Sequence, residues 1–88
     1  MRVRVRLLGS LRSSNTRGGA EFGLPDGSNL KNLINKITEQ YPEVAGSLRS
    51  TAGNLILVNG VEAGNLNGMD TPLNDGSEVV LVPVAHGG

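Results

Sequence analysis

The residues best suited to chemistry in this sequence are its last two, Gly87-Gly88. Glycine has no Cβ, so a diglycine arm can pass through a channel too narrow for other residues. A C-terminal carboxyl group is ionised at neutral pH and must be activated before it can donate an acyl group. We therefore predict that Gly88 is the reactive position, and that His86 and Ala85 thread into another enzyme together with Gly87.

The diglycine also has a simpler explanation. The chain contains 13 glycines in 88 residues, so a glycine pair at one terminus can arise by chance. Chain ends are often poorly ordered, and a frayed end needs no function. Under this alternative the protein is a non-catalytic binding module. The remainder of the sequence has to decide between the two interpretations.

The sequence offers few groups for catalysis of its own. It has no cysteine, which excludes disulfides, a thiol nucleophile and a thiolate metal site. Its single histidine is His86, which could act as a local base but is more simply a solvated tail residue. We predict no catalytic side chain, no metal site and no bound cofactor. The protein is therefore expected to be the substrate of an enzyme and not an enzyme itself.

Composition limits the class of partner. Eight basic and eight acidic residues cancel, so we expect neither a nucleic-acid nor an anionic-membrane partner. No apolar run approaches the ~20 residues of a membrane span. The sequence enters a strand pattern directly after Met1, with no apolar signal segment. These features predict a monomeric cytoplasmic protein.

Two strands are predicted at the start of the chain. Arg2, Arg4 and Arg6 alternate with apolar residues, as in a half-buried strand with one charged face. That face is interpreted as solvated, with a basic patch for an acidic partner as the alternative. After a polar loop, residues 20–24 resume the alternation and predict an antiparallel second strand.

An amphipathic helix follows these strands. Ser28 is the predicted N-cap, and Pro42 is the predicted end. One apolar stripe repeats at helical spacing and is assigned to the core; it consists of Leu30, Leu33, Ile34, Ile37 and Tyr41. Lys31 and Lys36 lie off this stripe. They are the only lysines, and so they are the candidate acceptors for isopeptide links between copies of the protein.

The second half of the chain predicts three more strands. Residues 54–58 are the most continuously apolar run and predict a well-buried strand. Asn59-Gly60 then predicts a tight hairpin into a very short strand at residues 61–62. Residues 78–83 predict the last strand. Leu66, Met69 and Leu73 are the expected inward anchors of the irregular segment in between.

One helix for one sheet predicts an α+β, two-layer domain. The simplest closed topology pairs the first and last strands as parallel neighbours and packs the helix across them. This is the ubiquitin-like β-grasp, a mixed sheet of four to five strands with one main helix on one face. The predicted domain covers residues 1–83, and residues 84–88 form a flexible diglycine tail.

The order of elements and two segments resemble one protein family. The segments are Pro72-Leu73-Asn74-Asp75-Gly76-Ser77-Glu78-Val79, before the last strand, and the stretch from Pro83 to Gly87-Gly88. Together they resemble the small sulfur-carrier and modifier proteins, which include the small subunit of molybdopterin synthase, the thiamine sulfur carrier and the small archaeal modifier proteins. The resemblance runs essentially from end to end.

The resemblance implies a route for Gly88. A separate, ubiquitin-activating-type enzyme would adenylate its carboxylate with ATP, and the acyl group would then become a thiocarboxylate or an isopeptide bond to a substrate lysine. The residues leave conjugation and sulfur transfer open. The alternative is a molybdopterin synthase subunit that donates sulfur from its tail inside a partner enzyme. In either case the expected partners are an adenylating enzyme and either substrate proteins or a sulfur-accepting enzyme.

Overall fold

Two strands from opposite parts of the sequence pair in parallel at the centre of one sheet. The structure is a computed structural model, and it describes residues 1–8, 18–44 and 54–83. Its strands are β1 (Arg2–Leu7), β2 (Ala20–Gly23), β3 (Asn54–Val58), β4 (Val61–Glu62) and β5 (Glu78–Pro83), and its α-helix is α1 (Leu30–Gln40). Short 3₁₀ helices cover Pro42–Val44, Ala63–Asn65 and Gly68–Asp70.

The sheet has the predicted mixed topology. Its strand order is β2-β1-β5-β3-β4, with β1 and β5 parallel and every other pair antiparallel. The helix α1 covers one face of this sheet. The α+β β-grasp fold that the sequence predicts is therefore confirmed. The predicted tail, residues 84–88, lies outside the described residues, and so does most of the connection between α1 and β3.

The helix begins one residue later than a Ser28 cap implies. Asn29 is the N-cap: its side-chain oxygen accepts a hydrogen bond from the Asn32 amide at 2.9 Å, and the Asn32 side chain accepts one from the Asn29 amide at 2.9 Å. This reciprocal pair satisfies two helix-end donors. Ser28 instead is buried and donates its hydroxyl to the Pro25 carbonyl at 2.7 Å, closing the preceding turn.

The core lies between α1 and one face of the sheet. The predicted stripe on α1 is confirmed, since Leu30, Leu33 and Ile37 are completely buried and Ile34 nearly so. Tyr41, just after the helix, is partly buried and packs edge-on against Phe22 with ring centroids 6.2 Å apart. The sheet contributes the inward-facing residues of its three longest-paired strands, which are Val3, Val5, Leu7, Val79, Leu81 and Val58.

Two burial expectations are wrong. The strand β3 is expected to be well buried, but Leu55, Ile56 and Leu57 are only half-buried. Leu55 and Leu57 lie on the face that α1 does not cover, whereas Ile56 lies opposite Leu81 and packs in part against the core. Leu66 was expected to point inward, but it is 43% exposed. The other two expected anchors do point inward, since Leu73 is buried and Met69 packs in part against the core, and Ala63 is buried as well.

The tight turn between β3 and β4 is confirmed and is tied to β5. Asn59 and Gly60 both have positive φ (51° and 83°), which is the conformation of a type I′ hairpin turn. The Asn59 amide donates to the Glu78 carbonyl at 2.7 Å, and the Asn59 side-chain oxygen accepts from the Glu78 amide at 2.8 Å. This turn therefore fixes where the last strand begins.

We predict that Ile37→Ala destabilises the protein by about 2–5 kcal/mol, as for other large-to-small changes in a core. Ile37 is completely buried, and the substitution leaves a cavity between α1 and the sheet. The measurement is the free energy of unfolding from urea titration. Lys36→Ala, at the neighbouring exposed position, is the control and should change that free energy by less than about 0.5 kcal/mol. Similar losses at both positions would contradict the observed orientation of the helix.

Candidate functional site

The strand that leads to the tail is held on both sides. On one side β5 pairs with β3, and Pro83 lies opposite Asn54. On the other side it pairs with β1, where the Leu8 amide donates to the Leu81 carbonyl at 3.0 Å. Val79 and Leu81 are completely buried beneath α1. The point where the tail leaves the domain is therefore fixed by the centre of the sheet.

The tail that begins after Pro83 contains five residues, Val84 to Gly88. Five residues in full extension reach at most about 17 Å. Gly88, Gly87, His86 and Ala85 lie outside the described residues, so their roles as the reactive carboxylate and the threading arm stay predictions. What the domain contributes is a rigid origin for that arm.

The face of the sheet opposite α1 carries an apolar surface beside this origin. Cross-strand pairing places Leu55 next to Val82 and Leu57 next to Val80, and all four side chains are half-buried. We call these four residues the open-face patch. Adjacent aliphatic side chains that a helix does not cover are typical of a protein-binding surface. The patch begins at Val82, one residue before the last described residue of the strand.

Charged side chains border the open-face patch. The predicted charged face of β1 is confirmed, since Arg2, Arg4 and Arg6 are all exposed. Arg2 forms an ion pair with Glu21 at 3.1 Å (Nη1 to Oε2). Arg6 lies beside Val80 in the parallel register, so it is the cation closest in register to the patch. On the opposite side Glu62 pairs with Leu57 in register.

The arginine row is compensated at its centre. Arg4 lies opposite Glu21 on β2 and opposite Glu78 on β5. Two carboxylates in register therefore lie near Arg4, although that of Glu21 forms its ion pair with Arg2, whereas Arg6 has the apolar Val80 as its neighbour on β5. The face therefore presents a largely apolar patch with a single cationic margin, and it is not a continuous basic surface.

The two lysines lie on the other side of the molecule. Lys31 and Lys36 are exposed positions of α1, which covers the opposite face of the sheet from the open-face patch. Both are accessible as acceptors of an acyl group. The site residues predicted from the sequence are therefore not brought together: the acceptors lie on the helix, and the tail starts from the central strand.

The β3 half of the open-face patch, Leu55 and Leu57, differs from the prediction. The apolar run at residues 54–58 predicts a well-buried strand, whereas these two side chains are half-buried on the face that α1 does not cover. A signal was present, because one helix can cover only one face of a sheet and half of each central strand must then face away from it. The alternation of buried and half-buried residues along β5 follows the same rule.

The described residues contain no group of three or more His, Cys, Asp or Glu side chains that could hold a metal ion. Within residues 1–8, 18–44 and 54–83, every buried side-chain polar atom has a hydrogen-bond partner. None of the helices in this part of the chain is long and apolar enough to cross a membrane.

Comparison with known sequences gives one family. The model of the ThiS family matches residues 5–88, which includes the predicted tail. No curated protein matches this chain in sequence.

Three solved structures have similar folds. The small archaeal modifier protein 1 from Methanosarcina acetivorans is 28% identical, with a TM-score of 0.73 over 99% of this chain and 96% of that one. Urm1 from Trypanosoma brucei is 26% identical, with a TM-score of 0.74 over 99% and 95%. A Helicobacter pylori complex of subunits 1 and 2 of molybdopterin-converting factor contains a chain that is 23% identical, with a TM-score of 0.66 and full coverage of both chains. At that identity the last match shows the fold alone.

Proposed function

We propose that this chain, which belongs to the ThiS family, is a ubiquitin-like carrier or modifier whose Gly88 carboxylate is activated by a separate ATP-dependent adenylating enzyme. The activated tail then accepts sulfur, forms an isopeptide bond with a substrate lysine, or does each with a different partner. The protein acts as the substrate of these reactions in the cytoplasm, and the enzymes that bind it supply the catalysis.

The observation that carries the proposal is the position of β5. A central strand, paired with β1 up to Leu81 and with β3 up to Pro83, presents the residues that follow Pro83 from a fixed point. The short, thin tail can then extend into the active site of another enzyme while the strands of the domain stay paired. The likeness to an archaeal modifier protein at 28% identity and to Urm1 at 26% identity supports the same proposal.

The proposed activation takes place in two steps at the Gly88 carboxylate: an oxygen–phosphorus bond to AMP forms first, and the bond between the carbonyl carbon and AMP then breaks. A Gly88 carboxylate oxygen attacks the α-phosphorus of ATP, pyrophosphate leaves, and a mixed anhydride with AMP forms. Hydrosulfide can then attack the carbonyl carbon and expel AMP, which leaves a thiocarboxylate with no change of oxidation state. A lysine amine can attack the same carbon, with loss of AMP and a proton, to form an isopeptide bond.

The open-face patch is the proposed docking surface for the adenylating enzyme. It lies directly before the tail on the same strand, so an enzyme seated there receives the tail without reorienting the domain. Arg6, at its margin, adds a cation that can select an acidic partner. A dedicated molybdopterin-synthesising partner is not favoured, since the Helicobacter pylori match at 23% identity is a likeness of fold.

We predict that the tail is the reactive site. Incubated with the adenylating enzyme of its host, ATP and sulfide, the full chain should gain the mass expected when one terminal oxygen is replaced by sulfur. Deletion of Gly87-Gly88 should abolish this gain, and so should one bulky residue added after Gly88. Gly87→Val should impair it, because a branched Cβ obstructs close passage of the backbone. Intact-protein mass spectrometry measures each product.

The controls for this experiment test the fold and the histidine. The truncated chain should unfold at the same urea concentration as the full chain, because the core ends with β5. His86→Ala should have a modest effect if His86 is a solvated tail residue. Adenylation of the truncated chain, or normal reaction of the extended one, would rule out Gly88 as the site.

We predict that the double variant Val80→Thr, Val82→Thr weakens recognition by the adenylating enzyme. Threonine keeps the branched shape that suits a strand but replaces a methyl group with a hydroxyl. The two substituted residues are neighbours on the same face of β5, within the open-face patch. The concentration of this protein that gives half-maximal adenylation should rise about tenfold, which corresponds to about 1.4 kcal/mol of binding. The maximal rate should stay unchanged, since binding outside the reacting centre is uniform.

Val61→Thr is the matched control for that variant. It makes the same chemical change at an exposed valine of the opposite end of the sheet, so it should leave adenylation unaffected. An equal effect of the two changes, or a fall in maximal rate alone, would show that the open-face patch is not the docking surface.

A further inference from the structure

A second apolar surface lies at the end of the sheet away from the tail. It is an open groove of about 510 Å³ next to the β3–β4 hairpin, lined by Val58, Asn59, Val61, Asn65, Leu66, Asn67, Thr71 and Pro72. Val61 and Leu66, 44% and 43% exposed, are the exposed large hydrophobic residues of the described chain, and both line this groove. Unlike most surface aliphatics, they are concentrated at one place.

The groove adjoins a free strand edge. In a two-residue hairpin, the residues that flank the turn exchange both of their backbone hydrogen bonds, so Val61 is paired with Val58. The amide and carbonyl of Glu62 then point away from β3, and within residues 1–8, 18–44 and 54–83 no further strand pairs with β4. Because Glu62 is also the N-cap of the 3₁₀ helix Ala63–Asn65, its amide is the group that remains open to an added strand. An extended peptide can add to such an edge through its main chain.

The charged residues of the segment that forms the groove are acidic. Residues 54–83 contain no lysine or arginine, and of their four acidic residues Glu62 and Asp70 are next to groove residues in the chain, whereas Asp75 and Glu78 lie beside β1. The Glu62 carboxylate lies beside Gly64, just after β4, since a Cβ at Gly64 would be 3.4 Å from its Oε1 atom. Asp70 directly precedes the groove residue Thr71. Every described lining residue of the groove itself is uncharged.

We infer that this groove, with the edge of β4, binds an extended basic segment of a partner protein in which aliphatic and cationic residues alternate. Successive side chains of a strand point to opposite faces. On β4 the Val61 side faces the groove and the Glu62 side faces away from it. A bound segment would therefore place its aliphatic side chains between Val61 and Leu66 and its cations beside Glu62.

The position of the groove gives this interaction a distinct use. The groove lies where β5 begins, because Asn59 in its lining is hydrogen-bonded to Glu78. The tail leaves from the other end of β5, roughly 17 Å away for a strand of this length. A partner in the groove thus leaves accessible the tail and the β5 residues of the open-face patch, Val80 and Val82, which β3 separates from Glu62. It could recognise the protein non-covalently while Gly88 is activated or already joined to a substrate, and the inference does not depend on the chemistry of Gly88.

The experiment titrates the isotope-labelled full chain with a short synthetic peptide in which lysine and leucine alternate. Amide chemical shifts should move at Val61, Glu62, Leu66 and Thr71, and they should not move at Val80 and Val82, the β5 residues of the open-face patch. A peptide of the same pattern with glutamate in place of lysine should bind at least about tenfold more weakly, because it meets only like charge at the edge. The same titration of the chain lacking Gly87-Gly88 should give the same affinity.

Two variants test the groove itself. Leu66→Ser removes an exposed aliphatic contact, and Glu62→Lys reverses the charge at the edge; each should weaken the lysine peptide about tenfold. Glu39→Lys, an equal charge change at an exposed position of α1, is the control and should bind as the unchanged chain does. An unchanged amide spectrum away from each substitution verifies that the variants remain folded.

Four results would overturn the inference. The first is a glutamate peptide that binds as tightly as the lysine peptide, and the second is a set of shifts that maps to Val80 and Val82. Concentration-dependent shifts at Val61 and Leu66 without any peptide would instead identify a second copy of this chain as the occupant. Equal binding by Glu62→Lys and Glu39→Lys would reject the role of the edge carboxylate.

Discussion

The parallel pairing of β1 with β5 is the constraint on which the rest of the structure depends. It joins the two ends of the domain, with Val5 opposite Val79 and Leu7 opposite Leu81, and these inward positions are almost completely buried. Because parallel strands cannot be joined by a tight turn, the whole intervening chain must form the crossover. The helix and the remaining strands are arranged by that requirement, and the tail starts from the middle of the sheet as a result.

A single helix decides which surfaces are free for partners. With 88 residues and two aromatic side chains, the chain can form only one modest core. That core uses the apolar stripe of α1 and one face of the sheet, so the aliphatic residues on the other face of β3 and β5 are not covered by any helix of the described residues. The open-face patch is thus a direct result of the small size of the domain. The small size of the domain also explains why the edge strand β4 has only two residues.

Much of the fold could be predicted from the sequence because its local signals agree with one another. The alternation of charged and apolar residues predicted β1, the helical spacing of apolar residues predicted the buried stripe of α1, and Asn59-Gly60 predicted the hairpin between β3 and β4. The errors arose where burial depends on distant contacts: Leu66 has the composition of a core residue, but nothing packs over it, and β3 has the composition of a doubly covered strand. The N-cap is Asn29 and not the predicted Ser28. Both residue types can cap a helix, but Asn29 forms the reciprocal hydrogen-bonded pair with Asn32, three residues later. The diglycine tail could be recognised as a motif, whereas the groove beside β4 could not, since its lining comes from three separate turns.

The geometry of the central strand pair also determines how the domain responds to force. The tail is attached to the end of β5, and the start of β1 lies at the opposite end of the same parallel ladder. Tension between the N-terminus and the tail therefore acts along both strands in opposite directions and loads all their shared hydrogen bonds together in shear. Peeling, which would break those bonds one at a time, is excluded by this attachment. Because forced unfolding is governed by the unfolding barrier, a machine that pulls on this protein by its tail has to break the whole ladder in one step.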